Sequence, residues 1–225
     1  GDGRVDFGSY GSLAFNQSGS FAVNAGTVEF GGTSIALGGS MAIADGARVL
    51  VRAGSTTTAS GFAVNGNGVL AVGGGTLVLG HGTTVAADVE LSSGTLSIGS
   101  ANAAEVTGDL SWTGGTINGG GTLTQRGRFL QTGNTTVYLR DGTLLDHVNA
   151  SGDSRIANTS ASGFNLENGA VFRNSGVLRL DVAGSSSVMY IDHDSGSAGS
   201  FVNTGTLIKS GSGRLDFGSF GLAEL

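Results

Sequence analysis

A short phrase recurs along this chain at a nearly constant spacing. In each copy a glycine precedes a small or β-branched residue and then apolar residues at alternate positions. Copies include GTVEF at residue 26, GARVLV at 46, GVLAV at 68, GTLVL at 75, GTLSI at 94, GTLTQ at 121, GTLLD at 142 and GTLIK at 205. Many copies follow each other at intervals of about 21 residues, and the spacing from position 142 to position 205 equals three such intervals. Such a period is typical of solenoids, in which each repeat forms one coil.

The alternation within each phrase predicts strands. In GTVEF, Val28 and Phe30 share one face and Glu29 takes the other. Period-two runs bounded by Gly and Asn are typical of β-strands. Further short runs such as SLAF at 12 and VYLR at 137 give two or three strands per repeat. Asparagines at corners, as in NSG at 174 and NTG at 203, could stack into amide ladders between coils.

The chain is therefore predicted to be all-β. We expect one domain over residues 1–225, a single-stranded parallel β-solenoid of about 10 to 11 coils of ~21 residues. A β-sandwich is the structural alternative, but it would rarely keep one phrase at a constant spacing. A coil alone cannot offset its own backbone entropy, so stacking of coils has to supply the stability.

Composition narrows the classes of function. The 43 glycines come without proline, and hydrophobic residues make up 39%, which favours a folded chain over a disordered tract. A net charge of -6 with no basic run disfavours nucleic acid as a partner. Cysteine is absent, so thiolate metal sites are excluded, and no apolar run approaches the length of a membrane helix. No cofactor or metal is expected.

Two segments carry a resemblance to a known class of proteins. WTGGTINGGGTLTQRG (112–127) and FVNTGTLIKSGSGRLDF (201–217) resemble the Gly-rich repeats of bacterial surface and secreted proteins, such as autotransporter passengers and filamentous haemagglutinin-like adhesins. The resemblance implies a right-handed parallel β-helix, export to the cell surface or medium, and structural or adhesive work without catalysis. It also implies that the chain is a fragment or one unit of a longer array, and that glycans of a host or a biofilm are a further candidate partner.

One polar cluster suggests the alternative function, a polysaccharide-binding or polysaccharide-degrading β-helix. Asp146 and His147 precede Asp192, His193 and Asp194 by a spacing close to two coils. Stacked coils could bring these carboxylates and imidazoles to one face, as general acid–base catalysis requires. However, alternation sends His193 to the face opposite Asp192 and Asp194. The prediction is therefore a solvated loop, with no catalytic residue.

The chain begins and ends on nearly the same phrase, GRVDFGSYG at 3–11 and GRLDFGSFG at 213–221. The offset between position 3 and position 213 equals ten intervals of the repeat, which predicts that both copies lie in the same angular register. We expect end strands of similar shape to meet end to end, either with further repeats or with a second copy of the chain, and lateral association of copies is a further expectation. The alternative is that these two of ten similar coils have merely diverged least. The predicted contact residues are Val5, Phe7, Tyr10, Leu215, Phe217 and Phe220.

Overall fold

Twenty-seven short strands and no helix make up the part of the chain that the computed structural model describes, which comprises residues 3–8, 13–32, 34–158 and 163–218. The first strands are β1 (Arg4–Phe7), β2 (Ala14–Gln17), β3 (Ser20–Val23), β4 (Thr27–Phe30), β5 (Ser34–Leu37), β6 (Ser40–Ile43), β7 (Arg48–Val51), β8 (Ser55–Thr58) and β9 (Ala63–Asn65). The central strands are β10 (Val69–Leu79), β11 (Thr83–Val85), β12 (Asp88–Ile98), β13 (Ala103–Val106), β14 (Leu110–Trp112), β15 (Gly115–Asn118), β16 (Thr122–Gln125), β17 (Phe129–Gly133) and β18 (Val137–Leu139). The last strands are β19 (Leu144–His147), β20 (Ser154–Asn158), β21 (Gly163–Leu166), β22 (Val171–Asn174), β23 (Val177–Asp181), β24 (Val188–Asp192), β25 (Ser200–Asn203), β26 (Thr206–Ser210) and β27 (Arg214–Phe217).

The strands stack into three parallel ladders, which form the three faces of a solenoid. The first face holds β1, β4, β7, the first halves of β10 and β12, β14, β17, β20, β23 and β26. The second face holds β2, β5, β8, the second halves of β10 and β12, β15, β18, β21, β24 and β27. The third face holds β3, β6, β9, β11, β13, β16, β19, β22 and β25. The predicted all-β parallel solenoid is confirmed.

The number of coils is smaller than the prediction of 10 to 11. The nine strands of the third face mark eight full turns, and β26 and β27 begin a tenth coil. Early turns are near the expected length, since Ser40 pairs with Ala63. Later turns are longer, because Leu144 pairs with Val171 and Val171 in turn pairs with Ser200. The segment from position 142 to position 205 therefore spans little more than two turns, not three.

The core is a continuous column of apolar side chains between the three faces. Alternation places Val28 and Phe30 inward, as predicted, and turns Glu29 outward, where arginines cover it. On the third face Phe172 packs on three other aromatic rings, with centroid distances of 5.5 Å to Phe129, 5.3 Å to Phe164 and 5.1 Å to Phe201. Each coil contributes only a few such side chains, so their burial depends on the coils above and below.

The two similar end phrases lie on different faces, so the prediction of a common angular register is wrong. Strand β1 of the first phrase pairs with β4 on the first face. Strand β27 of the second phrase pairs with β24 on the second face. The turns after Leu144 contain more than 21 residues each, so the 210 residues from position 3 to position 213 form fewer than ten turns. The second phrase is therefore reached about a third of a turn away from the angular position of the first.

Candidate functional site

Asp146 lies on the outer surface of the third face, where an arginine of the next coil neutralises it. Its carboxylate accepts hydrogen bonds from Arg173 Nε at 2.9 Å and Nη2 at 2.7 Å, and from Ser175 Oγ at 3.2 Å. The hydrogen bonds from Arg173 hold the pKa of Asp146 below its usual value, despite an opposing contribution from burial. A carboxylate held in this way stays ionised and is a poor general acid.

His147 is the next residue on β19 and points the opposite way, into the core. It is fully buried, and its Nδ1 lies 2.8 Å from Asn174 Oδ1. Because Asn174 Nδ2 donates to Asn203 Oδ1 and to the carbonyl of Thr206, the Asn174 oxygen is the acceptor and His147 Nδ1 carries the proton. His147 Nε2 is buried without a hydrogen-bond partner. Burial lowers the pKa of His147 below its ordinary value, so the ring is neutral at pH 7.

His147 belongs to a row of polar side chains inside the third face, which we call the polar column. The register stacks Gln125, His147, Asn174 and Asn203 in successive coils. Gln125 Nε2 donates to the carbonyls of Gly108 and Arg128 at 2.9 and 3.3 Å. The predicted amide ladder at NSG and NTG is thus confirmed, since Asn174 donates to Asn203 at 2.7 Å. The polar column donates to backbone carbonyls at the corner, and its members Gln125, His147 and Asn174 are fully buried.

Asp192, His193 and Asp194 lie at the end of β24 on the second face. Asp192 is buried, and its Oδ1 accepts the backbone N–H of His193 at 2.8 Å. The backbone N–H of Asp194 donates to Glu167 Oε1 at 3.3 Å. The prediction of a solvated loop holds for the exposed Asp194. It is wrong for Asp192, which is buried as the last residue of β24, and for Asp146 and His147, which lie on β19 with His147 fully buried.

The five predicted polar residues do not form one site. Asp146 and His147 are on the third face, whereas Asp192 ends a strand of the second face. Asp146 pairs with Arg173 in the next coil, and Arg173 pairs with Val202 in the coil after that. The residue two coils after Asp146 is therefore Val202 and not Asp192. Within the described residues no group of three His, Asp or Glu side chains could hold a metal ion.

An ion pair between the buried Glu167 and the partly exposed Arg140 was not expected from the sequence. Glu167 is 1% exposed, and its Oε2 lies 2.6 Å from Arg140 Nε. The Arg140 guanidinium in turn covers the Tyr138 ring at 4.0 Å from its centroid. The aligned segments LRDG at 139 and LENG at 166 could have revealed this pairing. Tyr138 therefore packs against a cation and does not offer an open aromatic platform to a sugar.

The exposed large hydrophobic side chains of the described residues lie at the two ends of the solenoid. Val5 is 53% exposed and Leu13 42% in the first coil, and Phe217 is 45% exposed in the last strand. Phe7 and Leu215 are partly buried against the core. The other two predicted contact residues, Tyr10 and Phe220, lie outside the described residues. The solenoid ends thus combine apolar side chains with strand edges.

A substitution at Asp146 tests its role as a surface ion-pair partner. We expect Asp146→Asn to lower the free energy of unfolding by no more than about 1 kcal/mol, because pairs with an exposed partner are weakened by solvent. The Arg173 side chain is 41% exposed. Urea unfolding at pH 7 measures the effect. Asp45→Asn removes a charge from an exposed residue and serves as the control. A loss of several kcal/mol would contradict this role.

Comparisons with protein-family models, with curated proteins and with solved structures find nothing that matches this chain. The described residues contain no helix long and apolar enough to cross a membrane. Functional conclusions for this chain therefore rest on its own residues and their geometry.

Proposed function

We propose that this chain is a non-catalytic structural segment of a bacterial surface or secreted fibre. The observation that carries the proposal is the pairing of arginines with carboxylates between coils. Seven arginines pair with a carboxylate of another coil instead of gathering around a cleft: Arg4, Arg48, Arg52, Arg126, Arg128, Arg140 and Arg173. Each surface pair contributes little alone, but together they join neighbouring coils along the rod.

The interior supports the same role. Apolar rows and the polar column run through successive coils, so side chains as well as strand ladders hold each coil to its neighbours. In a repeat protein each coil contacts its neighbours on both sides, and the molecule acts as a stiff spacer. Nine to ten coils at about 4.8 Å each give a rod of about 45 Å.

The alternative, a polysaccharide-degrading β-helix, needs an acid and a base that both reach a substrate. Glu167 and Asp192 lie near the ends of the neighbouring strands β21 and β24, and both residues are buried. Glu167 is also neutralised by Arg140. These contacts favour a structural role for the two carboxylates.

The test combines shape with activity. Small-angle scattering of the purified protein is expected to give an elongated particle. Incubation with a panel of bacterial and plant polysaccharides is expected to release no reducing ends. Release that disappears in Asp192→Asn and Glu167→Gln, with the rod shape retained, would overturn the structural proposal in favour of the enzyme.

A further inference from the structure

The exposed side chains at opposite ends of the second face hold the same register position along the strand ladder. Phe217 continues the inward row formed by Val137, Phe164 and Ile191 in the preceding coils. In the first coil the same register position belongs to the residue before Ala14, which is Leu13. Strand pairing connects Ala14 through Ser34 to Thr116, and the residue before Thr116 pairs with Val137. Leu13 and Phe217 thus share one register position. Coils between them carry glycines there, including Gly75, Gly94 and Gly115, before the apolar row begins at Val137.

The first face shows the same match. Val5 begins an inward row through Val28 and Val49, and Leu207 ends it after Leu178. Lys209 lies two residues after Leu207 on β26. It ends the row that begins at Phe7 on β1. On the first face the two ends therefore match in the row of Val5, where both ends are apolar, whereas the row of Phe7 ends at Lys209.

The charges of the two ends are compatible. On β1 the outward Arg4 bonds Asp6 at 2.7 Å and Glu29 at 2.9 Å, so this edge is neutralised within its own coils. The outward positions of β26 that would face Arg4 and Asp6 are the uncharged Thr206 and Ile208. Lys209 would face the Phe7 ring, a favourable cation–π arrangement.

On the first face the outermost strands, β1 and β26, are edge strands among the described residues. Within the described residues β1 pairs with β4 alone, and β26 pairs with β23 alone. An edge strand of this kind presents N–H and C=O groups to a further parallel strand. The contact would bury Val5 and Leu13, and it would cover Phe217.

We propose that a second copy of this chain docks head to tail, with its β1 on β26 of the first copy and its Leu13 on Phe217. This inference rests on the proposed structural role and names the partner for it. A second copy is favoured over an unrelated partner because one chain holds both halves of the contact, at the same register positions. The interface is heterologous, so repeated docking extends a filament.

The test uses two charge variants of residues that are exposed in a single rod. Leu13→Lys and Phe217→Glu are each expected to weaken self-association by at least about 30-fold, the loss expected for a hot-spot side chain. Mixing the two variants is expected to restore association, because every junction then joins Lys to Glu or Leu to Phe. Thr84→Asp, on an exposed site in the middle of the third face, is the matched control and is expected to leave association unchanged.

Analytical ultracentrifugation over a concentration series, with negative-stain microscopy, measures association, and circular dichroism confirms that each variant folds. Wild-type protein that remains monomeric at the highest concentration would overturn the proposal and leave further coils of the same polypeptide as the occupant of the ends. Association that survives both variants but is lost in Thr84→Asp would also overturn it, in favour of lateral contact. Neither result affects the proposed structural role, which polysaccharide cleavage tests separately.

Discussion

Replacing Gly66 with alanine is expected to lower the free energy of unfolding by about 2 to 5 kcal/mol, because a left-handed conformation and a close inter-coil approach both act at this position. Gly66 follows β9 with φ of +98°. A Cβ at this position would lie well within 3.0 Å of the carbonyl oxygen of Ile43 in the preceding coil. That oxygen accepts the backbone N–H of Gly68, so moving it away disrupts the hydrogen bonding between two coils.

Gly61 provides the matched control for this prediction. Its φ is +72°, but a Cβ there would meet nothing within 4 Å. Gly61→Ala is therefore expected to cost only the left-handed strain of about 1 to 2 kcal/mol. Urea or thermal unfolding of both variants, followed by circular dichroism, separates the contributions. Equal losses in the two variants would mean that the close approach to Ile43 contributes nothing.

The strand pattern and the period were sufficient to predict the fold. Alternation in GTVEF placed Val28 and Phe30 in the core and turned Glu29 outward, as observed. Segments 83–91 and 100–110, which contain few glycines, also form strands and corners. Each of these assignments depends on interactions within a few residues or between adjacent coils, which local sequence encodes directly.

Coil length after Leu144 could not be predicted in the same way. Corners accept extra residues without disturbing the alternation of the strands that flank them, so the long step from Leu144 to Val171 leaves no mark in the period-two pattern. The angular position of a strand depends on the sum of all preceding corners. The two similar end phrases therefore lie on different faces, and their similarity gives no information about which face.

The polar residues illustrate a different limit. Alternation alone places His147 inward with Leu145 and Asp146 outward, and the structure agrees. Treating Asp146 and His147 as one chemical pair assumes that adjacency in sequence means adjacency in space, and this assumption is wrong within a strand. The partners of His147 are Gln125 and Asn174, and finding them requires the register of neighbouring coils.

Acidification is the second change for which we expect a large effect. From pH 7 to pH 5 the free energy of unfolding is expected to fall, with a limiting slope of about 1.4 kcal/mol per pH unit from the single titrating group His147. Burial lowers the pKa of His147 in the folded state from its ordinary value of 6.5. The unfolded chain therefore binds the proton first, and stability is complete above pH 6.5 and is lost as the pH falls below it.

The geometry explains why the folded state resists protonation. A second proton on the ring would reside on Nε2, which is buried without an acceptor, while Nδ1 is already committed to Asn174. Gln125 and Asn174, which stack on either side, are uncharged. The nearest carboxylate, Asp146, points outward and is bonded to Arg173, so it offers only partial compensation.

His147→Gln tests this prediction, because glutamine occupies the same row at Gln125 and keeps a neutral donor without a titrating group. As the pH is lowered from 7 to 6 and 5, the urea unfolding midpoint is expected to fall for the wild type and to remain nearly constant for the variant. His147→Asn provides a second variant with a neutral side chain. Asp146 acts in a separate window, since its pKa is lowered from 3.8 and its contribution is lost only under more acidic conditions. If the wild type and both variants lose stability equally between pH 7 and pH 5, the acid sensitivity does not arise from the polar column.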